Sequence, residues 1–440
     1  FAYDGNGRLA RHRRQQGDKE IEERYEYDLI GRMTRSSLFD GVNEVESTAT
    51  DYFVTTPDAI TTRLPGGGTI TKTIDALGRV TKSETNPQNA NATPIVVSTL
   101  YDKEDNTAFV TDGKMATVSA YDSVHRARKT LTSEGTLTEL AIIDGWNRTH
   151  SATVKNGAGT LSTYAASYTG PQLQHVDDNA RGHDFTWDGA GRTKTAVMTG
   201  GEQSRASHLL YDTAGRLTES KFGEGDATSL IHEFSKSSFG YGTGNSELPV
   251  STTSIEDQTH TQNWTFDHDT LGQPTHAGID GRSFNFDHHF DESGNVVSST
   301  TPAKRGETRY DYDARSFNTQ EHLPQTQNPN KYEPDASGVL KTYTDPTGEP
   351  TISTNDGLGR PVRRDYPDQT FEEIHYDGTR VVSARDRQGR VQNFSYDDGG
   401  RLSEVVSSGV ALDHIDYENG RVIRWRTPDA STEFSDFDVD

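Results

Sequence analysis

The sequence predicts an all-β protein: repeated antiparallel β-hairpins joined into one large sheet, with almost no helix. Three observations predict it. A short motif that opens on Asp and closes on Gly-Arg recurs along the whole chain. The residues that lead into it alternate in polarity, the period of a strand. The composition is also too poor in apolar residues for a thick core, with 30% hydrophobic residues in 440 and a mean hydropathy of -0.83.

Composition limits the architecture first. Globular domains carry roughly 45–50% apolar residues, Gly included, and a chain of this length exceeds one ordinary compact domain. Aromatics nonetheless make up 9%, with 18 Tyr and 17 Phe spread along the chain, so it reads as ordered and thinly cored. A single sheet curving through solvent, wet on one face, satisfies both conditions. The best helix candidate, Gly17 to Tyr27, is charged throughout and has no apolar stripe.

The motif supplies the elements. Its full form, aromatic-Asp-x-x-Gly-Arg, stands at Tyr3-Asp4 with Gly7-Arg8, at Tyr27-Asp28 with Gly31-Arg32, and at Trp187-Asp188 with Gly191-Arg192. Tyr211-Asp212 with Gly215-Arg216 and Tyr396-Asp397 with Gly400-Arg401 repeat it. Copies without the aromatic residue stand at Asp75 with Gly78-Arg79, Asp356 with Gly359-Arg360, and Asp386 with Gly389-Arg390. These eight copies compare with roughly 0.2 expected from random placement.

Degenerate copies fill the gaps, and the aspartates at 269, 291, 313 and 335 are 22 apart. About 20–24 residues per unit is two strands and two turns. In each unit the Asp carboxylate accepts backbone N–H groups of a tight turn, Gly three residues on supplies a positive φ, and Arg restarts the returning strand. One hairpin alone is marginal, so stability must come from neighbour interfaces in a one-dimensional array. Stretches around Asp40–Thr55, Asn86–Thr93, Ser235–Val250 and His322–Lys331 interrupt the period and read as long hairpin loops. Residues 1–440 show no domain boundary. Because the chain opens inside a motif, we expect it to be a piece of a longer polypeptide.

The segment Tyr25-Glu26-Tyr27-Asp28-Leu29-Ile30-Gly31-Arg32-Met33, with the copies above, resembles the YD-repeat or Rhs (rearrangement hot spot) family, whose unit is Tyr-x-Tyr-Asp-x-x-Gly-Arg-Leu. That family includes the B and C components of insecticidal Tc toxins and, distantly, teneurin shells. The resemblance implies a hollow shell of spiralling hairpins that in bacterial members encloses a C-terminal toxin or effector. It therefore implies a secreted or cell-surface protein whose partners are that effector and other segments of its parent. Some relatives act at cell surfaces, and the repeats are linked to carbohydrate, which makes adhesion through carbohydrate or a protein partner the alternative. The family's closing motif, Asp-Pro-x-Gly-Leu, is only approached by Asp345-Pro346-Thr347-Gly348-Glu349, which reads as one more turn.

Little else suggests chemistry. A net charge of -23 with dispersed Lys and Arg speaks against nucleic acid and anionic membranes. The chain has no cysteine, and no apolar run long enough for a membrane-spanning helix. His268, His276, His288 and His289 lie near Asp267, Asp269, Asp287 and Asp291 at no recognised metal spacing, and read as drifted repeats. The glycine runs Gly66-Gly67-Gly68 and 240–244 lack the end of a phosphate loop. Turns such as Asp4-Gly5-Asn6 lack the later carboxylates of a calcium loop. Trp146, Trp187, Trp264 and Trp425 offer sugar-stacking faces but fit the aromatic row of a sheet better. The sequence thus predicts a structural shell without catalytic residues, metal or cofactor.

Overall fold

Alternating, β-branched segments separated by tight turns make each strand run back along the one before it. The computed structural model describes every residue except 17–18, 54–57, 157–158, 179–180, 243–247, 257–259, 280–281, 302–305, 398, 408, 419–420, 429 and 434–440. Among the described residues every regular element is a strand, numbered β1 to β39 in chain order. All belong to one sheet that is not closed, and each pairs antiparallel with its neighbours in the chain. The result is an uninterrupted meander.

β3 (Lys19–Tyr27) and β4 (Met33–Asp40) show the hairpin design. They pair in simple register from Ile21↔Asp40 to Glu26↔Arg35, then slip so that Tyr27 faces Met33. That slip is the bulge that a left-handed residue at the end of a type I turn creates. Since strands alternate in direction, turns alternate between two edges of the ribbon. Most Tyr-Asp turns line one edge, and the connections between units line the other.

The ribbon spirals until its edges meet. Arg14, at the end of β2 (Leu9–Gln16), donates to Ser293 Oγ at 2.8 Å and to the carbonyl of Ala314 at 3.3 Å, 279 and 300 residues away. The Gly68 N–H donates to the Gly357 carbonyl at 3.2 Å, and the Gly357 N–H to the Pro87 carbonyl at 2.6 Å. The Tyr376 N–H donates to Asn91, and Tyr376 accepts from Thr93 in a single parallel bridge. Lys114 pairs with Asp377, and Glu134 with Arg401 at 3.5 Å. Plain connecting turns of a first coil therefore abut Tyr-Asp turns of a second along a seam.

The core is thin, as the composition requires. Fully covered side chains are few and scattered, Ile21, Thr195, Thr308 and Val362 among them.

The stretch 17–27, which lacks an apolar helical stripe, contains the strand β3, where charged residues find cross-strand partners such as Arg13 with Glu22 at 2.5 Å. Two expectations of long hairpin loops need correction. Asp40–Thr55 holds a two-residue turn, Gly41-Val42, followed by β5 (Asn43–Tyr52), whose Thr-rich run pairs with β4; 54–57 lie outside the described residues. Ser235–Val250 contributes to β21 (Leu230–Tyr241) and β22 (Pro249–Glu256), with 243–247 outside the described residues.

Where the left-handed turn residue is not Gly, strain is stored locally. Gln369 is exposed and sits at φ 68°. Gln369→Gly is expected to stabilise its turn by about 0.5–1 kcal/mol. Slower amide exchange at Tyr366 and at residue 369 would register the gain; unchanged or faster exchange would contradict it.

Candidate functional site: the turn clasp and the coil seam

The recurring chemical unit is a clasp between consecutive hairpins. Within a unit, Oδ1 of Asp4, Asp28, Asp75, Asp188, Asp212, Asp356 and Asp386 accepts the backbone N–H groups two and four residues on, at 2.8–3.1 Å. Oδ2 accepts Nε of the motif Arg at 2.7–2.8 Å, as it does at Asp397. Gly7, Gly31, Gly78, Gly191, Gly215, Gly359, Gly389 and Gly400 lie at φ 77–93°, where an L side chain is strained. Both carboxylate oxygens are thus spent inside the turn. This is the physical reason that Asp4-Gly5-Asn6 presents no free calcium ligand set.

Between units the same Arg reaches forward. Its guanidinium covers the ring of the next hairpin's tyrosine, 4.3–4.7 Å from the centroid at Arg8 on Tyr27, Arg79 on Tyr101, Arg192 on Tyr211, Arg216 on Tyr241, Arg360 on Tyr376 and Arg401 on Tyr417. The tyrosine hydroxyl reaches back to the carbonyl that follows that Arg: Tyr27 to Leu9 at 2.9 Å, Tyr376 to Pro361 at 3.0 Å, Tyr417 to Leu402 at 2.9 Å. Asp therefore holds Arg, Arg stacks on Tyr, and Tyr returns a hydrogen bond. Each such stack is worth about 0.5–1 kcal/mol at partly exposed sites.

Deviations obey the same geometry. Trp187 Nε1 takes the tyrosine's part and donates to the Leu173 carbonyl at 2.9 Å. Asn355, in the aromatic slot before Asp356, donates to the Leu340 carbonyl at 3.3 Å. Asp386, Gly389 and Arg390 form the clasp turn on the opposite edge, where Arg385 lies over Phe371 and donates to its carbonyl. Tyr396 keeps the hydroxyl bond, to Val381 at 2.7 Å, whereas Tyr3 is exposed at the start of the sheet.

Sequence reasoning missed the turn at Tyr101-Asp102, whose left-handed residue is Asp105 (φ 68°) and whose Asn106 replaces Arg. The pair Tyr-Asp followed three residues later by Asp or Asn was the available signal, since these residues tolerate the left-handed region.

The electrostatics follow from the clasp. The Arg side-chain hydrogen bonds come first in holding Asp75 and Asp188 below the usual carboxylate range, and the Arg backbone N–H comes first at Asp4 and Asp212. Lys129 and then Lys155 hold Glu139 down to about 2. A depressed carboxylate stabilises the fold above its unfolded pKa, and the contribution is lost as pH falls through the folded value. Melting temperature is therefore expected to hold near neutral pH and to fall once pH drops below about 4. A melting temperature that rises on acidification would contradict the clasp.

The remaining candidates separate. His276 pairs with Asp287 at 2.6 Å and His289 meets Ser298 at 3.2 Å. Among the described residues no group of three or more His, Asp or Glu is placed to hold a metal. Gly66-Gly67-Gly68 belongs to the seam, beside an open recess of 450 Å³ bordered by Pro65, Gly66, Asp335, Lys341 and Asn355. Of the run 240–244, residues 240–242 are described and 243–244 lie outside the described residues.

No family model and no curated protein matches the chain. Solved structures do. The crystal structures of TcdB2-TccC3-TEV and TcdB2-TccC3-Cdc42 align over 96% of this chain with TM-scores of 0.56 and 0.55 at 12% identity. The structure of the Photorhabdus luminescens Tc holotoxin pore aligns over 96% with a TM-score of 0.52 at 12% identity. The fold is the one seen in those Tc toxin structures. This chain spans 27% to 29% of the length of the chains it matches. Asp345, at the approximate closing motif, is held in a turn by its own neighbours: its Oδ1 accepts the Thr347 and Glu349 N–H groups at 2.9 and 3.0 Å.

Proposed function

We propose that the chain is a non-catalytic wall segment, one continuous unit over 1–440, of a hollow β-shell in a secreted bacterial toxin. The shell encloses the C-terminal effector of the parent protein, and this segment's other partners are the remaining segments of that parent. The observation that carries the reading is the seam. A meander alone leaves two open edges of turns, whereas backbone bonds from Gly68 to Gly357 and from Gly357 to Pro87 join successive coils into a continuous wall. The likeness of fold to Tc toxin structures supports the same reading. A wall with only 30% hydrophobic residues suits the holding of an incompletely folded chain.

Cryo-electron microscopy of the parent protein tests it. Density for an additional polypeptide inside the spiral is expected; an empty, open sheet would overturn encapsulation. A second reading, surface adhesion to carbohydrate or a protein, draws on Trp425, which is 47% exposed and whose Nε1 donates to Asp413 at 2.7 Å. Glycan binding lost in Trp425→Ala would support that reading.

A further inference from the structure

We infer that a row of apolar side chains on the outer face of the first coil is a docking site, and that its occupant is an amphipathic α-helix of a partner protein, acidic at one end. The inference concerns the outside of the wall and is independent of any enclosed cargo.

The pattern of exposure tells the two faces apart. In a single curled sheet the side chains on the concave face converge and cover one another, whereas those on the convex face splay apart. Along β15 (Gly159–Thr169), Thr163, Ala165 and Ser167 are exposed while Ser162, Tyr164 and Ala166 are half-buried. Side-chain size does not account for this, since alanine and serine stand on both faces. The exposed face is therefore the convex one, and the register carries it from Thr163 through Thr153 to Glu139.

Most of that face is charged or hydroxylated, with cross-strand partners such as Arg13↔Glu22, Thr61↔Thr71 and Arg363↔Glu373. Five successive strands depart from this. β9 (Ile95–Tyr101), β10 (Thr107–Thr111), β11 (Ala116–Tyr121), β12 (Ala127–Thr132) and β13 (Thr136–Ile143) set Leu100, Phe109, Val118, Leu131 and Leu137 opposite one another in a single row. Leu100, Val118 and Leu131 are 61%, 49% and 43% exposed. Single exposed apolar residues are ordinary, but a contiguous row of them on the outward face marks an interaction surface.

Backbone pairing and charge together select the occupant. Each of these strands is already paired on both sides, so no free edge is offered and the occupant must satisfy its own backbone groups, as a helix does. Neighbouring strands lie about 4.8 Å apart and a helix returns to one face about every 5.4 Å, so a helix of about 14 residues lays one apolar side chain per turn along the row. The row then runs on to Lys155, opposite Leu137. Lys155 and Lys129 share the Glu139 carboxylate, at 2.9 and 2.6 Å, and Lys129 remains 59% exposed. Two lysines against one glutamate leave an excess of positive charge at this end of the row, on a chain of net charge -23. That excess complements acidic residues in the last turn of a helix, together with the negative end of its dipole.

Fluorescence anisotropy of a labelled model peptide titrated with the intact chain tests the proposal. The probe is a helix of about 14 residues with leucine once per turn, alanine and glutamine elsewhere, and glutamate in its last turn. The expected result is saturable binding that weakens as salt rises and falls roughly tenfold in the double variant Val118→Ser, Leu131→Ser, with an unchanged circular dichroism spectrum. Absence of binding, equal binding of a peptide whose leucines are dispersed around the helix, or a folded double variant that binds like the wild type would each overturn it. So would adsorption to phosphatidylcholine vesicles, or self-association in sedimentation velocity, that the double variant loses while the peptide fails to bind the wild type. If the double variant does not fold, Leu100→Arg at the most exposed position of the row replaces it, and undiminished binding there overturns the proposal. Because no cargo enters the measurement, failure here leaves the encapsulation reading to its own test.

Discussion

Replacing Gly357 by valine is expected to part the two coils while leaving each coil's strands intact. A Cβ at this position would lie 2.5 Å from the Pro87 carbonyl oxygen and 2.7 Å from the Gly68 Cα. Both neighbours are backbone, so no side-chain rotation relieves the clash, and the chains must separate. Separation forfeits the Gly357 N–H to Pro87 and Gly68 N–H to Gly357 bonds. Overpacking and two lost hydrogen bonds together cost about 2–5 kcal/mol, concentrated at the seam. Amide exchange should speed at residues 68, 357 and 376 and stay unchanged at Gly31 and Gly78, which lie away from the seam, with a larger radius of gyration in small-angle scattering. Unchanged protection at Gly68 would mean that the coils do not meet there.

The second large effect is expected at Asp356, where the same substitution that is mild elsewhere should be severe. Asp356 is 3% exposed, grips Arg360 at 2.7 Å and takes two backbone N–H groups. Asp356→Ala leaves two amides unpartnered and a partly covered guanidinium without its carboxylate, held only by the Gly378 carbonyl, at a cost of about 3–5 kcal/mol. It also frees Arg360 from its place over Tyr376, whose backbone forms the cross-coil bridge. The matched control is Asp386→Ala: the clasp is geometrically the same, but Arg390 is 69% exposed, so water replaces what is lost. Exchange rates across 356–378 should rise in the first variant and barely change around 386–390 in the second. Equal effects at the two sites would show that the seam adds nothing to the clasp.

That contrast separates what was legible from what was not. Asp28, Gly31 and Arg32 lie within five residues of one another, so turn type, bulge and carboxylate-guanidinium grip are local consequences of the motif. The aromatic row was legible as a row. Its working partner, the carbonyl after the preceding Arg, was not, because Tyr27 and Leu9 are 18 residues apart and their contact depends on hairpin register. Substitutes such as Asn355 and Trp187 were likewise hidden, since what the slot demands is an N–H or O–H donor and not a particular residue type.

By itself, then, the sequence determined an all-strand meander of antiparallel hairpins, the turn at each motif and the thinness of the core, because strand period, Asp-initiated turns and Gly at positive φ are properties of a few adjacent residues. Only the tertiary structure decided which turns meet. Arg14 finds Ala314, and Gly68 finds Gly357, through the accumulated twist and curl of all the strands between them. Twist is set strand by strand but summed over a whole coil, so no local pattern specifies where the ribbon's edges come together.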